Sequence, residues 1–158
     1  MKIIAFDLGA NFAMAHNGFP EVVCVEYGVF TGPRAHRAGK TLHYITRRLK
    51  ECKDNEVPMD VAVYERPFAR GMDATRCLWG LAGIIEAACT NAGLAVVDVT
   101  PSEIKKWSTG NAKASKEQML DAAHAMGYLG FNEHEADAYC LLKYAEANTI
   151  LAPTKGKK

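Results

Sequence analysis

The segment Ile3-Ile-Ala-Phe-Asp7 constrains this chain most. Consecutive apolar residues without polar alternation read as a strand covered on both faces, as inside a sheet flanked by helices. The run ends in an aspartate, and a carboxylate at the rim of a core needs a partner or a cation. Val61-Ala-Val-Tyr-Glu65 has the same form and is stopped by Pro67. Strand periodicity puts Ile3, Ala5 and Asp7 on one face, and Val61, Val63 and Glu65 on one face. If the two strands are parallel neighbours, both carboxylates leave the sheet at one edge, where ligand and catalytic sites of α/β sheets form. Taken singly, each acid has a plainer use: Asp7 could cap the turn at Gly9, and Glu65 could pair with Arg66.

The other elements extend this frame. Phe12 to His16 is a strand, Asn17-Gly18 is a hairpin signal, and Glu21 to Phe30 is a third strand, giving an antiparallel meander. After the break at Gly32-Pro33, Lys40 to Cys52 is an amphipathic helix with Leu42, Ile45 and Leu49 at helical spacing. Asp73 to Asn91 is a long helix ended by Gly93, and Leu94 to Val99 is a fifth strand. Pro101 opens a short helix through Trp107, Ser115 caps a helix from Lys116 to Met126, and a last helix runs from Glu133 to about Asn148. This order predicts an α/β domain over residues 1–150, with a five-stranded mixed sheet (three antiparallel strands, then two parallel) flanked by helices. Residues 151–158 read as a basic, flexible tail. A chain of 158 residues, 49% hydrophobic and 23% charged, suits one domain with a real core and excludes a disordered polymer. No apolar run reaches the ~20 residues of a membrane span, and the N-terminus lacks the form of a signal peptide. Five scattered cysteines without a C-x-x-C pair fit reduced thiols in the cytoplasm.

The last helix changes the weight of the two acids. Asn132 is a good N-cap, and Glu135 three residues on completes a capping box, which gives Glu135 a structural task. His134 and Asp137, at i and i+3, share a face that Leu141 and Ala145 continue onto the core. The helix dipole there favours a carboxylate and disfavours imidazolium, leaving the neutral imidazole that binds metal. Three acids and a histidine from three elements make an oxygen-rich site for Mg²⁺ or Mn²⁺, the nitrogen tilting it towards Mn²⁺. A pair of such ions serves in-line phosphoryl displacement, one activating water and the other stabilising the leaving oxygen. No phosphate-loop glycine pattern and no nucleophile triad compete with this reading. The net charge is only +1, but it is unevenly placed. Between Thr31 and Lys53, seven basic side chains face the single acid Glu51, which reads either as a phosphate-holding surface or as a solvated helix face.

With these residues in place the chain resembles the RuvC family of Holliday-junction resolvases, in the ribonuclease H-like superfamily. The likeness runs from Met1 to about Ala147 and rests on FDLG, VAVYERPF and the final-helix motif HEADA. The family carries Asp-x-x-Asp or His-x-x-Asp in that helix, and His134 and Asp137 match the second form. The resemblance implies a ribonuclease H-like fold with Asp7, Glu65, His134 and Asp137 as the metal-binding catalytic set, served by two ions. It implies a homodimeric crossover junction endodeoxyribonuclease of DNA recombination and repair, nicking opposing strands of a four-way junction symmetrically, with no small-molecule cofactor. It also implies a junction-opening aromatic, matched by Phe68 between Arg66 and Arg70, and two phosphate-facing lysines, matched by Lys105 and Lys116. Lys106 beside the first leaves open which of the pair points inward, and Phe68 could instead be a core or dimer contact. The family's dimer helix corresponds to Asp73–Asn91, with Leu78, Trp79 and Leu81; burial within one subunit is the alternative. Departures such as Asp7-Leu8-Gly9 for the family's Asp-Pro-Gly are common in phage-borne members; the expected location is the cytoplasm, that of the host if the protein is phage-encoded.

Three other readings compete. An actin-like or sugar-kinase-like ATPase also ends its first strand in Asp-x-Gly, but needs a duplicated domain that this length does not supply. A non-catalytic DNA-binding scaffold would not need competent side chains at all four ligand positions. A nuclease of the same superfamily acting on flaps, nicks or RNA–DNA hybrids shares every feature.

Overall fold

The computed structural model describes residues 1–9, 11–19, 22–68 and 71–148. Strands β1 (Ile3–Asp7), β2 (Asn11–Phe19), β3 (Val22–Val29), β4 (Val61–Glu65) and β5 (Ala95–Val99) form one sheet of order β3-β2-β1-β4-β5. β1 pairs antiparallel with β2 and parallel with β4, so it lies at the centre. The helices are α1 (Arg34–Asp54), α2 (Met72–Asn91), α3 (Pro101–Thr109), α4 (Lys116–Ala125) and α5 (Glu133–Ala147). This is the mixed, helix-flanked sheet the element order predicts.

The absence of polar alternation in β1 and β4 reflects two cores. Ile4, Phe6, Phe12, Met14, Ala62 and Tyr64 pack with Ile45 and Leu49 of α1 and Ala82 and Ile85 of α2. Ile3, Ala5, Ala13, Ala15 and Val63 pack on the opposite side with Ala138, Leu141 and Ala145 of α5 and with α3 and α4. The alanines on both α5 and the sheet let that helix lie close, which brings its N-terminal side chains to the ends of β1 and β4.

Two local readings are corrected. Asn17-Gly18 does not make the hairpin: β2 runs on through Phe19, which pairs with Val22 after an irregularity between His16 and Phe19. The asparagine is used elsewhere, its Oδ1 accepting the Ile3 amide at 2.6 Å and its Nδ2 donating to Glu146 at 2.8 Å. Gly18 sits in a close approach, since a Cβ there would lie 2.6 Å from the Met59 Cε, which would have to move aside, and 3.1 Å from the His16 Nδ1. The second correction is α1, which starts at Arg34, six residues before the apolar period begins. Its buried row is Thr41, Ile45, Leu49 and Cys52, and Leu42 faces outward. The first two turns carry no apolar stripe, so periodicity could not see them.

Candidate metal centre

The two parallel strands deliver the acids as their periodicity demands. The β1–β4 register ends with Phe6 opposite Tyr64, and Asp7 and Glu65 come next, side by side. Across the antiparallel side, Asp7 faces Ala13, and Ala13 faces Tyr27. One row across the sheet thus reads Glu65, Asp7, Ala13, Tyr27.

α5 closes over this row. The Asn132 Oδ1 accepts the backbone N–H of His134 at 2.9 Å and of Glu135 at 3.1 Å, fixing the first turn. The capping box itself is not made. The Glu135 carboxylate accepts the Tyr128 hydroxyl at 2.6 Å, so its task is structural but directed at the preceding loop. The His134 Nδ1 lies 2.9 Å from the Asp7 Oδ2. Asp7 is therefore held by the histidine. Ligand atoms of Asp7, His134 and Asp137 all fall within 4.8 Å of one another. The Tyr27 ring stacks on the imidazole at 6.0 Å between centroids and 14° between planes, while its hydroxyl donates to the Asn11 Oδ1 at 3.1 Å. Motif and spacing alone do not single out Tyr27; the signal that finds it is the hairpin register, counted from Asp7 to Ala13 to Tyr27.

Glu65 stands beside this group but outside the 4.8 Å cluster. Its carboxylate makes no side-chain hydrogen bond among the described residues. Arg66 does not pair with it, because the guanidinium turns to Asp98 on β5. Burial, reinforced by the charges of Asp7 and Asp137, pushes the Glu65 carboxyl up to about 7. Burial also raises Asp7, against the opposing pull of the His134 bond. The bond to Asp7 raises His134 above an ordinary histidine. This reverses the expectation from the helix dipole: a direct contact with a carboxylate outweighs the diffuse field of a helix end. Burial pulls the Lys116 ammonium down, but its bond to Asp137 and the charges of Asp137 and Asp7 carry it up overall.

The lysines separate clearly. Lys116 opens α4 behind the Ser115–Gln118 capping box and puts its Nζ 2.9 Å from the Asp137 Oδ2. Lys105 donates to the Ala114 carbonyl at 3.0 Å, with its charge close enough to act on Glu65. Lys106 is exposed, so Lys105 is the one turned inward. Phe68 is 79% exposed, which removes the core reading. Arg70 lies outside the described residues. On α2, Trp79 is 49% exposed and Leu78 half-buried, whereas Leu81 is turned inward at 7%.

The donor set fits a divalent cation. Carboxylates crowded at the rim of a core repel one another, and the ammonium on Asp137 shows that the cluster accepts positive charge. Asp7, His134 and Asp137 would hold the ion, with Glu65 adjacent.

The family described as crossover junction endodeoxyribonuclease RuvC matches residues 8–141 of this chain, opening one residue after Asp7. A protein of that description from Corynebacterium glutamicum is 33% identical over 130 residues, covering 82% of this chain and 58% of its own length. One from Anaeromyxobacter sp. (strain K) is 33% identical over 149 residues, covering 89% of this chain and 78% of its own. Among solved structures, Thermus thermophilus RuvC in complex with a Holliday junction substrate superposes with a TM-score of 0.75 at 18% identity, covering 94% of this chain and 97% of that one. The yeast mitochondrial Holliday junction resolvase superposes with a TM-score of 0.52 at 10% identity, covering 92% and 83%. These likenesses show the ribonuclease H-like fold. The chain belongs to the RuvC family of crossover junction endodeoxyribonucleases.

Proposed function

We propose that this protein is a divalent-metal-dependent endonuclease that resolves four-way DNA junctions, acting in the cytoplasm as a homodimer that nicks opposing strands symmetrically. Residues 1–150 form the catalytic domain. The observation that carries the reading is the meeting of Asp7, His134 and Asp137 beside Glu65 at the rim of the sheet, with Lys105 and Lys116 turned to the same place. Asp7, Glu65, His134 and Asp137 act as the catalytic, metal-holding set. Two bound Mg²⁺ or Mn²⁺ ions, Mn²⁺ preferred for the imidazole ligand, would supply Lewis acidity for attack of water on a phosphodiester and for the departing oxygen.

The chain's own groups do the positioning. The Asn132 cap and the Tyr27 ring fix the imidazole, whose Nδ1 is held against Asp7. Lys116 balances charge at Asp137 and, with Lys105, offers an ammonium to a phosphate oxygen. Phe68, exposed beyond β4, stacks on an unpaired base of the opened junction, and Arg66, Arg70 and Lys106 contact the backbone around it. The second copy packs on the outward row of α2, with Leu78 and Trp79 above Gly80 and Gly83; Leu81 supports that row from within.

The test is cleavage of four-way junctions, flaps, RNA–DNA hybrids and linear duplex in Mg²⁺ and in Mn²⁺. The expected result is paired nicks in the junction and no cutting of linear duplex. Asp7→Asn abolishes cutting while junction binding survives, because the charge that holds metal is lost and the basic surface is untouched. Retained cleavage by Asp7→Asn removes the cluster from the reaction. Cutting of flaps or hybrids in preference to junctions replaces the resolvase with a broader nuclease.

A further inference from the structure

The basic stretch of α1 divides into two halves. In the C-terminal half the charges are matched: Arg47 bonds Glu51 at 2.7 Å, Arg48 pairs with Glu26 and Glu51, and Lys50 pairs with Asp54. In the N-terminal half, Arg34 and Arg37 form no ion pair with any carboxylate among the described residues. α2 adds Arg76, likewise without an ion pair. These three arginines line one groove of about 210 Å³ between the N-terminal turns of α1 and α2, together with Cys77, Gly80, Leu81 and two alanines, and no acid among the described residues lines it.

Folding gives no reason for this arrangement. The first turn of α1 contains no acidic residue, and Pro33 supplies no side-chain cap. Basic side chains there oppose the helix dipole. Arg37 is also incompletely bonded: one Nη donates to the Cys77 Sγ at 3.2 Å, a weak acceptor, and its buried Nε has no partner among the described residues. A buried guanidinium donor without an acceptor is costly, and an anion entering the groove would satisfy it.

The position of the groove names the anion. β3 ends at Val29 opposite Asn11, near the Asp7 end of the sheet, and α1 comes directly after it. α2 lies beyond the chain that leaves β4 after Glu65. Both helices thus begin at the edge holding the metal centre, but on the other face of the sheet from α5. We propose that the groove between the first turns of α1 and α2 is a second phosphate-binding subsite, which grips the DNA backbone on the far side of the sheet edge from the scissile position. The subsite deepens the nuclease reading and rests on it for the identity of the polymer, while the binding of phosphate rests on the arginines alone.

The test compares Arg34→Ala/Arg76→Ala with Arg47→Ala, whose charge is already matched by Glu51. Binding of a fluorescent four-way junction is monitored by anisotropy across a salt series in EDTA, with circular dichroism showing that each protein is folded. Junction cleavage by the unsubstituted protein is run in parallel. The double variant is expected to bind about tenfold more weakly, with a salt slope shallower by about two phosphate contacts. Arg47→Ala is expected to match the unsubstituted protein. An unchanged slope in the double variant, or an equal loss in Arg47→Ala, overturns the subsite. If the unsubstituted protein binds the junction without cutting it, the nuclease reading fails while loss of binding in the double variant still supports the subsite. Binding of inorganic phosphate that the double variant loses, with its junction affinity and salt slope unchanged, assigns the groove to free phosphate and overturns the DNA contact.

Discussion

At Glu65 the fold withholds what a carboxylate ordinarily finds. Burial and the neighbouring acids raise it from 4.5 to about 7, so without metal the native protein holds a proton that the unfolded chain has released. Stability from that proton is fully present below the ordinary carboxylate pKa and is lost as pH rises through about 7. Metal-free protein should therefore melt at a lower temperature at pH 8 than at pH 5.5, with raised Asp7 contributing in the same direction. Glu65→Gln should be more stable than the parent at pH 8 by about 2 kcal/mol and show a flatter profile. Chemical denaturation in EDTA at both pH values checks this, and an unaltered profile would place the effect elsewhere. Tyr27 belongs to the same scale. Removing its ring as Tyr27→Ala frees the imidazole and should weaken Mn²⁺ binding by about tenfold, read by titration calorimetry.

Among the elements, β2 carries the clearest lesson about local signals. Asn-Gly is a strong turn pair because both residues tolerate positive φ, yet here both serve tertiary contacts: the asparagine amide joins β1 to α5, and the glycine admits Met59. Gly18→Ala should cost about 1 kcal/mol through crowding at Met59. Repeating it in a Met59→Ala background should reduce that cost, as a double-mutant cycle of unfolding free energies would show. The remaining elements were legible where an apolar period ran their length, as in β1, β4, α2 and α5. The first turns of α1 were not, because Arg34 to Gly39 have no core-facing row and are held by the later turns of the helix, which do. Leu42 misled for the related reason that a leucine beside the true row, Thr41–Ile45–Leu49, looks like part of it.

For the whole molecule, a cation held by Asp7, His134 and Asp137 would link ligand binding to global stability, because these residues come from the central strand and the helix packed over it. Mn²⁺ at a hundredfold its dissociation constant should stabilise the protein by about 2.7 kcal/mol, and Asp7→Asn should lose most of that gain in a thermal melt. The outward face of α2 is where the second copy of the proposed dimer would pack. Trp79 is half exposed, and among the described residues no atom outside the local helix backbone lies within 4 Å of a Cβ added at Gly80 or Gly83, so the surface is open for a second helix. Trp79→Glu should halve the mass seen by sedimentation with little change in melting temperature. A dimer that persists would move the interface off this helix.

The sequence by itself determined strands β1 and β4, the faces on which Asp7, Glu65, His134 and Asp137 stand, and the α/β class, because periods of two and 3.6 residues are local properties of the backbone. It also determined that each acid ends an apolar row. Only the tertiary structure decided that Asp7 meets His134, 127 residues away, that Glu65 stays beside them without a side-chain hydrogen bond among the described residues, and that Lys105 and not Lys106 turns inward. Those outcomes depend on the strand order β3-β2-β1-β4-β5 and on how closely α5 settles against a floor of alanines. Strand order and packing distance arise from the simultaneous burial of both faces of the sheet, and no short window of residues contains that information.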